Sequence, residues 1–210
     1  MPRPTQAFID LSALAHNLGV VRQYVPCSRI MAVVKADAYG HGLLHTASAL
    51  KDVDGFALLE LDAAISLRDA GYQQPILLLE GFFSTEELAL FEQYRLSAVI
   101  HHSEQIAMLS DSKHHNLDLF LKINTGMNRL GLAPEQFPQI MKALTDHPGI
   151  DSITLMTHFA SADDPLEEDE VFQQLQYFEA ITQNHKYPHS LANSAAIIRY
   201  PVTHADWVRP

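Results

Sequence analysis

Short, continuously apolar runs alternate with amphipathic stretches along almost the whole chain, and nothing else in the sequence narrows the fold as far. The runs are Ile30-Met31-Ala32-Val33-Val34, Phe56-Ala57-Leu58-Leu59, Ile76-Leu77-Leu78-Leu79, Ala98-Val99-Ile100, Leu119-Phe120-Leu121-Lys122-Ile123, Ile153-Thr154-Leu155-Met156 and a weaker His189-Ser190-Leu191-Ala192. Unbroken rather than every-other-residue hydrophobicity means that both faces of each strand are covered, as a parallel sheet requires. Between the runs lie helical patterns. Asp10 can cap a helix carrying Leu11, Leu14, Leu18, Val21 and Tyr24 on one side. Further helices are expected over 61–70, after Ser84-Thr85-Glu86-Glu87, from Ser103, over 134–145 behind Pro134-Glu135, and over 165–184, whose acidic start suits a helix N-terminus.

Seven strand-then-helix units leave two architectures, a doubly wound open sheet or a (β/α)8 barrel of the TIM type. A dinucleotide-binding sheet would show G-x-G-x-x-G after its first strand, and the chain has no such motif. The barrel is therefore the expected fold. It needs an eighth strand, and only Asp206-Trp207-Val208-Arg209-Pro210 remains to make one. The expectation is a single barrel domain over 1–210, incomplete at its eighth strand, with unpaired backbone on strands one and seven. On this reading the chain is part of something longer.

Composition removes several function classes. Fourteen Lys and Arg against twenty-five Asp and Glu give a net charge of −11, which opposes non-specific nucleic-acid binding. No stretch is apolar for the eighteen or so residues that a membrane helix needs. The opening Met-Pro-Arg-Pro-Thr-Gln lacks the layout of a secretory signal, and a lone Cys27 excludes an internal disulfide, so a reducing, cytoplasmic location is expected. Cys27 itself reads as an inert small residue in an apolar setting.

Two of the six lysines, Lys35 and Lys122, stand at the carboxyl ends of apolar strands, where a barrel places its active site. A lysine there is a candidate for a depressed pKa and for covalent carbonyl chemistry; the plain alternative is an amine that snorkels to water. Beyond Lys35 come a hydroxyl, at Tyr39, and two glycines that allow close backbone approach. The segment Ala32-Val33-Val34-Lys35-Ala36-Asp37-Ala38-Tyr39-Gly40-His41-Gly42 resembles the pyridoxal-phosphate attachment motif of the alanine racemase family. Four more segments resemble later motifs of that family, in the right order. They are Lys122-Ile123-Asn124-Thr125-Gly126-Met127-Asn128-Arg129-Leu130-Gly131, Met156-Thr157-His158-Phe159-Ala160-Ser161-Ala162-Asp163, Asn193-Ser194-Ala195-Ala196 and Trp207-Val208-Arg209-Pro210.

The resemblance implies roles. Lys35 attaches pyridoxal 5'-phosphate and serves as the base on one face of the substrate. Tyr39 and Ser194 donate hydroxyl hydrogen bonds to the phosphate, with Asn193 beside them in the cofactor site. Arg209 faces the pyridine nitrogen and keeps it unprotonated, and His158 orients Arg209. Arg129 serves the cofactor's phenolic oxygen and the substrate carboxylate. Lys122 can be carbamylated, which turns a cation that would repel Arg129 into an anion that braces it. The implied reaction interconverts L- and D-alanine by two bases on opposite faces, in a homodimer whose partner supplies the second base from a C-terminal β domain. That domain and the Gly-Ile run expected after Pro210 are absent from the sequence, so this chain alone is expected to racemise poorly. Asn124 departs from the aspartate usual in its motif and leaves the charge balance near Lys122 open.

Competing readings are a barrel-only pyridoxal-phosphate carrier of vitamin B6 balance and a broad-specificity amino-acid racemase. Decarboxylases of the same fold place an acid at the pyridine nitrogen, where this chain offers Arg209. His41 and His45, four apart, lack a third ligand, so no metal is expected. His101, His102, His114 and His115 read as loop residues flanking a helix.

Overall fold

A computed structural model describes residues 5–110 and 116–210; His114 and His115 lie outside the described residues. Eight strands, β1 (Arg29–Val33), β2 (Gly55–Leu58), β3 (Ile76–Leu78), β4 (Ser97–Ile100), β5 (Leu117–Lys122), β6 (Ile150–Met156), β7 (His189–Asn193) and β8 (Trp207–Arg209), pair in sequence order, all parallel, into a closed barrel. Every strand anticipated from the apolar runs is present, and no end moves by more than three residues.

The strand pattern follows from the two packed faces. Met31, Ala57, Leu77, Val99, Phe120, Met156 and Trp207 point inward and fill the barrel as one buried cluster. Their neighbours Ile30, Phe56, Leu58, Ile76, Ala98, Leu119 and Leu155 point outward into the layer under the helices. Period-two alternation thus hides behind continuous hydrophobicity, because neither face meets water.

The helices are α1 (Leu11–Tyr24), α2 (Lys35–Gly40), α3 (Leu43–Ala49), α4 (Leu61–Asp69), α5 (Leu88–Tyr94), α6 (Ser103–Ser110), α7 (Phe137–Thr145), α8 (Glu168–Thr182) and α9 (Ser194–Arg199). The Asp10 carboxylate caps α1 by accepting from the N–H groups of Ser12 (2.9 Å) and Ala13 (3.1 Å). A 3-10 turn, Pro134–Gln136, leads into α7. No helix among the described residues is long and apolar enough to cross a membrane.

The expectation of a barrel left open at its eighth strand is corrected. Three residues suffice for β8, as they do for β3: Trp207 and Val208 register with Arg29 and Ile30, and Arg209 with Asn193. The Val33 N–H donates to the Pro210 carbonyl at 3.0 Å, so even the last residue extends the ladder. On the outside α1, which precedes β1, packs against both α3 and α9 and covers the seam between β8 and β1. Cys27 is also corrected. It lies exposed in the turn from α1 to β1, because the apolar burial there goes to Val25 and Ile30 on either side.

Candidate active site at the carboxyl ends of the strands

A cavity of about 590 Å³ opens at the carboxyl ends of the strands, and its lining includes Lys35, Tyr39, Lys122, Arg129, His158, Asn193, Ser194 and Arg209. All eight residues singled out in the sequence therefore meet in one place. Each arrives by a short path. Lys122, Asn193 and Arg209 are the last residues of β5, β7 and β8; Lys35 opens α2 just past β1, and Ser194 opens α9. Among the described residues no group of three His, Cys, Asp or Glu could hold a metal; the His41 ring nitrogen Nδ1 instead meets the Ala38 carbonyl at 2.8 Å.

Lys35 and Tyr39 are joined by an unusual piece of backbone. Ala36, Asp37, Ala38 and Tyr39 all have φ between 52 and 55°, a full turn wound left-handed by four non-glycine residues. Such a conformation costs about 1–2 kcal/mol per residue, so the surroundings must enforce it. The Ala38 N–H donates to Val34 O (3.0 Å), and Gly42 N–H to Asp37 O (3.0 Å). The Asp37 carboxylate accepts from the Leu43 N–H at 2.7 Å. Ala38 is buried while Tyr39 is 60% exposed, with the Lys35 ammonium 6.0 Å from the centre of the phenol ring.

A serine that opens a helix, as Ser194 opens α9, could be its N-cap. The cap is its neighbour: Asn193 Oδ1 accepts from Ala196 N–H at 3.0 Å. That frees the exposed Ser194 hydroxyl to face the cavity. Arg209 is 4% exposed and held by three hydrogen bonds: Nη1 donates to Ser190 Oγ (2.5 Å), and Nη2 to Thr157 O (2.7 Å) and Leu191 O (3.2 Å). Nη2 also approaches His158 Nδ1 at 3.4 Å. Burial lowers the Arg209 pKa to about 10, which leaves it charged at neutral pH.

Four cations (Lys35, Lys122, Arg129 and Arg209) face this cavity against two carboxylates, Glu80 and Asp163. Lys122 is 6% exposed, and burial, followed by the charges of Arg209, Arg129 and Lys35, pushes its amine down to about 8. Burial first, and the same cations after it, push His158 down to about 3, so its ring is neutral and its Nδ1 can accept from Arg209. Asn124 does not face Lys122 as a spare acceptor. Its amide closes the loop after β5, accepting from the N–H groups of Gly126 (3.2 Å) and Asn128 (3.0 Å) and donating to Asn128 Oδ1 (2.9 Å). An aspartate could not make the last of these bonds.

Sequence reasoning passed over four participants. Glu80 follows β3 and lines the cavity; Thr157 and Ser190 hold Arg209, and Gln174 ties two site loops together. The signal for Gln174 was a polar residue in phase with Val171, Leu175 and Phe178 on the buried side of α8.

A closed parallel barrel with a lysine just past its first strand and four cations around the cavity at its carboxyl ends places the chain among (β/α)8 barrel proteins with a cation-rich site. Residues 9–210 match the family described as alanine racemase, N-terminal domain, and the chain belongs to that family. It is 60% identical over 213 residues to an alanine racemase of Nitrosomonas europaea, an alignment covering 100% of this chain and 59% of the relative. A solved biosynthetic alanine racemase from Pseudomonas aeruginosa superposes with a TM-score of 0.89 at 40% identity, over 96% of this chain and 57% of that one. A histidine racemase from Leuconostoc mesenteroides superposes at 0.82 with 30% identity, over 95% and 56% respectively. The chain thus spans less than two thirds of the length of these relatives.

Proposed function

We propose that this chain carries the cofactor site and one of the two bases of a pyridoxal-phosphate-dependent alanine racemase. The observation that carries the proposal is the convergence of a strand-end lysine, two hydroxyls and an excess of cations on one cavity. The donor set suits the group: an amine for its aldehyde, and hydroxyls and positive charge for its phosphate and phenolate. Lys35 and Tyr39, Ser194 and Asn193, Arg129, and Arg209 with His158 are the residues that would hold it. When bound, the cofactor supplies an electron sink that acidifies the α-proton of an amino acid joined to it.

The chain's own side chains do the rest. Lys35 Nζ would take up or return the α-proton on one face. Arg209, pinned by Ser190, Thr157 and Leu191, presents a cation that is not a ready proton donor, so a ring nitrogen against it stays unprotonated. That restrains charge spread into the ring and favours simple proton return. Arg129 offers its guanidinium to a carboxylate. Lys122, with its pKa near 8, is accessible as a neutral amine that adds to carbon dioxide, losing a proton to give a carbamate that braces Arg129. The opposite-face base belongs to a partner subunit in a cytoplasmic homodimer.

The test is D-alanine formation from L-alanine, measured with cofactor on the protein carried to its relatives' full length so that the opposite-face base is present. Lys35→Ala should lower the rate about a thousandfold, the scale of a lost proton-transfer group. Undiminished turnover in that variant would reject the assignment. A second reading, racemisation of other amino acids, is favoured by the likeness to a histidine racemase. Comparable kcat/KM for alanine and histidine would select it.

A further inference from the structure

We infer that Gln174 is a positioning residue that locks the loops after β5 and β6 against each other, and with them Arg129 and His158; this rests on the racemase reading above. Gln174 lies on α8, outside the cavity, and is 5% exposed. Its Oε1 accepts from the Ala160 N–H at 3.0 Å, and its Nε2 donates to Thr125 Oγ1 (3.3 Å) and to the His158 carbonyl (3.2 Å). Turning the amide over would set its NH2 against another N–H, so the orientation is fixed by chemistry.

The hydroxyl protons are fixed as well. Thr157 Oγ1 lies 3.0 Å from the Ile123 carbonyl, which can only accept, so the Thr157 proton points there. Thr125 Oγ1 sits 2.7 Å from Thr157 Oγ1 and must therefore donate to it, which leaves its lone pairs for Gln174. One direction runs through the set, from Gln174 to Thr125 to Thr157 to the Ile123 carbonyl. Thr157 is also the residue whose carbonyl holds Arg209 Nη2, and His158 is the next in the chain.

The loop that Gln174 grips carries Arg129. At Gly126, φ is +141° and an added Cβ would stand 3.3 Å from Gln174 Cγ, so backbone and amide are in close contact there. At the other end of the loop Gly131, with φ +134°, would place a Cβ 2.7 Å from the Asn124 N atom. The loop is thus clamped at both ends, and from other elements it is gripped by Gln174 of α8 and by Thr157 just past β6. Arg209 has Ser190 and Leu191 as independent anchors, whereas at the Thr125–Gly126 corner Gln174 both bonds the Thr125 hydroxyl and packs on Gly126, and Thr157 supports the hydroxyl alone. Loss of Gln174 should therefore reach the carboxylate held by Arg129 more than the cofactor anchored at Lys35.

The experiment uses the protein at its relatives' full length, loaded with pyridoxal phosphate, comparing the unaltered protein with Gln174→Met, which removes every bond, and Gln174→Glu, which keeps the acceptor for Ala160 but cannot donate. Acetate, a minimal carboxylate, is titrated through the cofactor's absorbance; alanine kinetics and melting temperature are measured alongside. In both variants the acetate Kd and the alanine KM should rise about tenfold, the scale of one or two lost buried hydrogen bonds, with kcat within about twofold. Borohydride labelling at Lys35 should persist. A lower melting temperature with acetate Kd and KM unchanged would make Gln174 a structural staple and overturn the inference. If Gln174→Met does not fold, the same criterion is read from Gln174→Glu. Failure of the unaltered protein to take label at Lys35 is a different outcome, which rejects the cofactor reading and this inference with it.

Discussion

Lys122 is a cation held among cations, and its behaviour with pH shows what the site costs the fold. Burial and the Arg209, Arg129 and Lys35 charges lower its pKa from 10.5 to about 8. Below pH 8 both folded and unfolded chains carry the proton, and the full penalty stands. Between 8 and 10.5 the folded chain has shed a proton that the unfolded chain keeps, so stability rises with pH through that window. In carbon-dioxide-free buffer at pH 7, Lys122→Met should stabilise the protein by about 1–3 kcal/mol in urea unfolding. A less stable variant would mean that Lys122 has a compensating anion. In bicarbonate the unaltered protein should gain stability together with a carbamate-sized mass increase, and neither should appear in Lys122→Met. His158 gives a slope at lower pH. Its ring stays neutral in the fold down to about pH 3, while the unfolded chain protonates below 6.5, so its share of stability is lost as pH falls through that interval. Replacing His158 by Gln should flatten that part of the stability profile.

Among the elements, α2 is where strain is stored. Ala36 is exposed and sits at φ 52°, so Ala36→Gly relieves left-handed crowding without removing any packing. The relief exceeds the extra freedom given to the unfolded chain, and a net gain of about 0.5–1 kcal/mol is expected by thermal or urea unfolding. A loss of stability would show that the turn is not strained. Gly131→Ala should do the reverse, destabilising the loop that carries Arg129, since a Cβ there meets Asn124 N at 2.7 Å. These two elements also show what the sequence could and could not convey. The strands were legible because two-sided burial writes an unbroken apolar run, and α1 because Asp10 and the Leu11–Leu14–Leu18 spacing announce it. The left-handed turn was not, since Ala-Asp-Ala-Tyr carries no preference for positive φ; burial of Ala38 and the bonds of Asp37 and Ala38 to residues four to six away hold it. The site residues were readable through family resemblance, but Gln174, Thr157 and Ser190 were not, because their partners are far away in sequence and no periodicity records them.

For the whole molecule, closure is decided by β8, a three-residue strand that pairs with β1 at the far end of the sequence. Trp207 fills the barrel interior at 4% exposure, tilts against Phe120 with ring centres 6.5 Å apart, and carries the Arg29 guanidinium 4.1 Å above its ring. Trp207→Ala should cost about 3–5 kcal/mol, read by circular dichroism in urea, a large share of a typical domain's stability. A loss under about 1 kcal/mol would mean that the barrel does not depend on its last strand. A net charge of −11 coexists with a cavity faced by four cations, so positive potential is concentrated in that cavity. Everything proposed for that cavity depends on one amine. Incubating the full chain with pyridoxal phosphate, reducing with borohydride and sequencing the labelled peptide by mass spectrometry locates it directly. The account predicts a single modified residue, Lys35; label on Lys122 or another lysine, or none at all, would contradict it.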